Sequence, residues 1–158
     1  GDAITPAAIE TDYPVLLDAP APHLRAYPKE TVIAEKFEAL VSLGFVNSRM
    51  RDFYDLWTIS RTFEFDGAVL TAAIRATFDR RRTDHPAGEP TGLTDEFAHS
   101  DEKRTQWGAF IGRERLTMEP PEFPDVVADL REFLMPPMLS GEFQGHWNPG
   151  GPWRSIST

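Results

Sequence analysis

The sequence predicts a mainly α fold, a bundle of about five helices with a short β segment ahead of it. Apolar residues recur at spacings of three and four from Pro28 to Leu134. Pro, Gly and capping residues punctuate that pattern at intervals that suit helices. Residues 1–27 instead read as short extended segments and loops punctuated by proline.

In residues 1–27, Tyr13–Leu17 reads as a strand, with Pro14 favouring an edge or a start, and Leu24–Tyr27 as another. Pro20 and Pro22 form a stiff connector between them. Two or three such strands make no stable sheet alone, so this stretch looks like the end of a larger α/β domain.

From Pro28 the pattern is helical. Ile33, Phe37, Leu40 and Val41 share one side until Gly44 supplies a stop. Ser48 is the expected N-cap of a second helix that buries Phe53, Leu56, Trp57 and Ser60. Asp66 caps a third, with Leu70, Ala73, Ile74, Thr77 and Phe78 inward and an end near Arg82. The Pro- and Gly-rich stretch 83–93 is a loop. Thr94 opens a short helix, and Ser100 a longer one whose stripe is Lys103, Trp107, Phe110 and Ile111. Pro124 starts a last helix, which Pro136 and Pro137 are expected to stop. These helices define a domain over 28–139, followed by an irregular tail, 140–158.

The bulk properties narrow the function. No stretch approaches the ~20 apolar residues of a membrane span, so no membrane partner is expected. Without cysteine there are no disulfides or thiolate metal sites, and a cytoplasmic setting is permitted and expected. A net charge of −9 argues against a broad nucleic-acid surface, and DNA is not expected as a partner. His23, His85, His99 and His146 have no metal-ligand spacing.

Charge is woven into the apolar faces of the first two helices. Thr31-Val-Ile-Ala-Glu-Lys-Phe-Glu-Ala-Leu-Val41 carries Glu35 and Lys36, and Arg49-Met-Arg-Asp-Phe-Tyr-Asp-Leu-Trp57 carries Arg49, Arg51, Asp52 and Asp55. Only Lys29, Lys36 and Lys103 are lysines among 16 basic residues. Asp52 and Asp55, three apart, lie on one helix face, and a short turn at 44–48 would bring Lys36 near them. An ammonium can take a phosphate oxygen, while an aspartate orients the lysine, aids a metal or acts as a base. The plain alternative is a lysine that snorkels and aspartates that pair with Arg49 and Arg51 as a solvated lattice.

The run Tyr27–Leu40 with Ala34-Glu-Lys36 and Ala39, followed by Arg49-x-Arg51-Asp52-x-x-Asp55-Leu56, resembles the AbiEii/AbiGii-type nucleotidyltransferase toxin family. Gly1–Pro6 also resembles that family's turn after the last carboxylate-bearing strand. The likeness is specific over residues 1–61 and weak beyond. It implies a polymerase-β-like sheet joined to a helical domain, hence α+β in the full-length enzyme, with residues 1–27 a β remnant. It further implies a toxin of a type IV toxin–antitoxin or phage-defence pair. Such a toxin transfers nucleotides from an NTP with Mg²⁺, some members acting on tRNA or other RNA ends, and has a cognate antitoxin as partner. By motif position, Lys36, Asp52 and Asp55 would be catalytic, with Lys36 on the phosphates and Asp52 favoured over Asp55. Glu35, Arg49 and Arg51 would support them.

The family's Gly-Ser loop and metal-binding Asp-x-Asp are absent from these residues. No metal ligand is therefore expected within this chain, which reads as the C-terminal part of such an enzyme and as inactive alone. The rival expectation is a free-standing helical module that contacts an antitoxin or RNA without catalysis. Arg80-x-x-x-x-His85 also matches the spacing of the HEPN ribonuclease motif, although a basic helix end simply complements the helix dipole.

Overall fold

A computed structural model describes residues 28–155; the expected strands at 13–17 and 24–27 lie outside them. Six α-helices and a small antiparallel sheet occupy the described residues, in keeping with the mainly α class read from the sequence.

Helix α1 (Lys29–Leu43) starts behind Pro28, whose carbonyl accepts from Thr31 N and Val32 N at 3.0 and 3.2 Å. It stops at Gly44, where φ is +59°, a conformation costly for any residue with a Cβ. Helix α2 (Met50–Thr62) lacks the expected cap: Arg49, not Ser48, holds the N-cap position, and its side chain makes no capping hydrogen bond. Asn47 acts one residue earlier instead, its Oδ1 accepting from Arg49 N at 2.8 Å.

The other starts follow the expected chemistry. Asp66 Oδ1 accepts from Ala68 N and Val69 N to begin α3 (Gly67–Arg80). Thr94 caps α4 (Asp95–Ala98) and Ser100 caps α5 (Asp101–Arg113). One continuous core joins these helices, with Phe37 and Leu40 of α1, Phe53 and Leu56 of α2, and Phe78 of α3 all fully buried.

Two expectations about the C-terminal region are corrected. Helix α6 (Phe123–Leu139) runs through Pro136 and Pro137 rather than stopping at them. Pro137 has no N–H for the carbonyl of Phe133, one turn earlier; Trp153 Nε1 donates to that oxygen at 2.9 Å. The tail beyond Ser140 is also not irregular throughout. Strands β2 (Gly145–Trp147) and β3 (Trp153–Ser155) pair antiparallel, and β2 pairs in turn with β1 (Phe65–Asp66). Trp147 is buried, and its Nε1 donates to Ser60 O at 2.7 Å. These two tryptophan contacts tie the tail to α2 and α6, an order that a search for periodicity does not register.

Candidate functional site

Lys36, on α1, lies between two carboxylates of α2. Its Nζ is 3.3 Å from Asp52 Oδ1 and 3.0 Å from Asp55 Oδ2. Helical spacing explains the arrangement: Asp52 and Asp55 are one turn apart on the face of α2 that meets α1. The acids are buried, at 4% and 3% exposure, whereas the lysine side chain keeps 23%. The ammonium is thus the cluster's outward member, with one more N–H than the two carboxylates require.

The arginines complete the charge pattern. Arg49 Nε is 2.9 Å from Asp52 Oδ2, and Arg51 Nη1 is 3.8 Å from Asp55 Oδ1. Arg51 also reaches Glu114 at 3.1 Å and lies over the Phe110 ring. Burial pushes the Asp55 carboxyl above its ordinary range; the attraction of Lys36 and Arg51 opposes this without cancelling it, and Asp52 adds repulsion. Neither Asp52 Oδ2 nor Asp55 Oδ1 has an aligned hydrogen bond among the described residues.

Beside this cluster opens a cleft of about 520 Å³ between the start of α2 and α5. Ser48, Arg49, Arg51, Asp52, Gln106 and Arg113 are among its walls. Asp52 is shared: Oδ1 faces Lys36, while Oδ2 faces Arg49, which lines the cleft. The cluster does not fit Mg²⁺, because the Lys36 ammonium already stands between the two carboxylates where a cation would bind. Among the described residues no group of three or more acids or histidines could hold a metal ion.

A family model for the AbiEii toxin, a nucleotidyl transferase of the type IV toxin–antitoxin system, matches residues 1–129. The chain belongs to the AbiEii nucleotidyltransferase toxin family. Searches among curated proteins and among solved structures give no match. The matched region contains α1 to α5 and the start of α6, and so the whole Lys36 cluster of this AbiEii chain.

Of the residues singled out in the sequence, Lys36, Asp52, Asp55, Arg49 and Arg51 come together. Glu35 goes elsewhere. It faces α3, with Arg81 Nη2 at 3.2 Å and Arg80 Nη2 at 3.8 Å, next to a Glu38–Arg81 pair at 2.8 Å. Arg80 and His85 are likewise engaged apart, Arg80 with Glu35 and His85 with Asp79 at 3.0 Å.

Sequence reasoning missed Gln106, Arg113 and Glu114, which α5 brings to the cleft and to Arg51. No local spacing connects them to α2. The fully buried Lys103 had a signal, its place on the apolar stripe of α5. Its Nζ donates to Asn47 O at 2.9 Å and lies near the Phe45 and Phe97 rings, which fixes the connector leading into α2. No helix among the described residues is long and apolar enough to cross a membrane.

Proposed function

We propose that this chain supplies the nucleotide-contacting helical part of an AbiEii-type nucleotidyltransferase, with Lys36, Asp52 and Asp55 as its working residues. The observation that carries this is the Lys36 ammonium, partly exposed yet fixed within 3.3 Å of two buried carboxylates. Held there, it can give a hydrogen bond to a phosphate oxygen of an NTP and offset charge that builds as pyrophosphate departs.

Asp52 suits the role of base because it borders the cleft, whereas Asp55 is not among the cleft's walls. The acceptor's hydroxyl oxygen bonds to the α-phosphorus, the bond to pyrophosphate breaks, and the hydroxyl proton passes to Asp52. Asp55 then serves to orient Lys36, and Arg49 and Arg51 to balance the carboxylates. Mg²⁺ supplies charge neutralisation on a triphosphate when bound. Since the Lys36 cluster does not fit it, none of these roles runs through the metal. An RNA end as acceptor, a cognate antitoxin, a part in phage defence and a cytoplasmic setting belong to the same reading.

Calorimetric titration of the chain with each NTP tests the phosphate role of Lys36. Wild type should bind, and Lys36→Gln should weaken binding roughly tenfold, the worth of one charge-assisted contact. Equal affinity of the two proteins would favour the alternative, a helical binding module in which the cluster only holds α1 to α2.

A further inference from the structure

We propose that the cleft between the start of α2 and α5 is a second phosphate site, distinct from the one at Lys36. It takes a phosphate ester that also carries a free hydroxyl, and Arg49 exchanges Asp52 for that phosphate on binding. The proposal rests on the reading of Lys36 and Asp52 given above, and says on which side of Asp52 the hydroxyl-bearing substrate enters.

Three guanidinium groups line the cleft, from Arg49, Arg51 and Arg113. Arg51 is committed to Glu114 and Asp55, but Arg113 is exposed and has no ion pair among the described residues. Helix α2 contributes its N-terminus, where no side chain caps the first turn. These features attract an anion.

The buried Asp52 at the same place demands a donor as well. It is 4% exposed, it lines the cleft, and its Oδ2 has no aligned hydrogen bond. Arg49 covers that oxygen at 2.9 Å from a side chain 58% exposed, so its guanidinium can swing outward at little packing cost. A phosphate alone would meet Asp52 as a like charge. A phosphate ester with a neighbouring hydroxyl satisfies both needs, its phosphate drawing Arg49 away and its hydroxyl donating to the uncovered Oδ2. The chain's charge of −9 limits the attraction to this local cleft, so recognition involves one or two phosphates rather than a long strand.

The dinucleotide ApA, which joins one phosphodiester to free ribose hydroxyls, is the probe, with adenosine and inorganic phosphate as comparisons. Titrations followed by NMR of the arginine Nε–H groups and by calorimetry should show ApA binding more tightly than either comparison and moving the Arg49 signal. Arg113→Gln should weaken ApA roughly tenfold and leave NTP affinity unchanged, while Arg104→Gln, outside this cleft, should change neither. Absence of ApA binding, ApA binding indifferent to Arg113→Gln, or phosphate binding as well as ApA would each overturn the proposal. Loss of NTP binding in Lys36→Gln reports on the other site, so the two readings fail separately.

Discussion

The Lys36 ammonium lies 3.0 Å from Asp55 Oδ2, a carboxylate whose ionisation its own burial opposes. The pair joins α1 to α2, yet an uncharged side chain of the same shape would suit the site's solvation better. A residue kept in a form that costs stability fits the role proposed above for Asp55.

Asp55→Asn therefore should not destabilise the fold at neutral pH, its unfolding free energy staying within about 1 kcal/mol of wild type or rising. The pH dependence has a definite sign. The folded carboxyl is raised above its ordinary value of 3.8, so its favourable contribution is full below that value and is lost as pH rises through the folded one. The stability of Asp55→Asn relative to wild type should increase from about pH 4 to about pH 7 in urea unfolding.

Lys36→Ala behaves differently. It leaves Asp52 and Asp55 facing each other with only Arg49 and Arg51 to balance them. A loss of about 1–3 kcal/mol is expected, less than for a fully buried pair because Lys36 is partly exposed. Denaturant unfolding should show that loss shrinking in acid, as the raised Asp55 carboxyl takes up its proton. Lys36→Ala thus mixes stability with function, and amide isosteres of the aspartates separate them better.

On the other flank, Glu38 works in the opposite direction. Burial disfavours its charge, but hydrogen bonds from Thr83 and Arg81 outweigh this and hold its carboxyl below the ordinary 4.5. Its contribution is present above that value and is lost as pH falls through the folded one. Glu38→Gln should cost about 1–2 kcal/mol at neutral pH, with the difference from wild type vanishing in acid. Parallel thermal melts across that range provide the check.

Packing around α1 is equally specific. A Cβ on Gly92 would meet Leu40 Cδ2 at 2.8 Å and Cγ at 3.0 Å, inside a core where Leu40 is fully buried. Gly92→Ala should cost about 1–3 kcal/mol by overpacking, and Leu40→Ala in the same chain should recover part of the Gly92 penalty as a non-additive term.

Helices and most caps were legible because they depend on local spacing, as with Asp66, Thr94 and Ser100. The Lys36 cluster was legible for the same reason, since one turn of α2 aligns Asp52 with Asp55. Long-range partners defeated the local rules elsewhere. Pro136 and Pro137 read as a stop, but Trp153 satisfies the carbonyl that Pro137 leaves open. Glu35 was expected to support the site by motif position, yet a step of about 100° along the helix from Lys36 turns it toward Arg80 and Arg81. The cleft was invisible because Gln106 and Arg113 reach it from α5, with nothing in their spacing to connect them to Arg49.

Single-turnover transfer from labelled NTP by the natural protein that carries this chain, compared with its Asp52→Asn form, tests the central claim most directly. The account predicts a rate lower by roughly 10²–10⁴, the usual worth of a general base, at NTP affinity within about threefold and nearly unchanged melting temperature. Transfer at the wild-type rate by Asp52→Asn would contradict it.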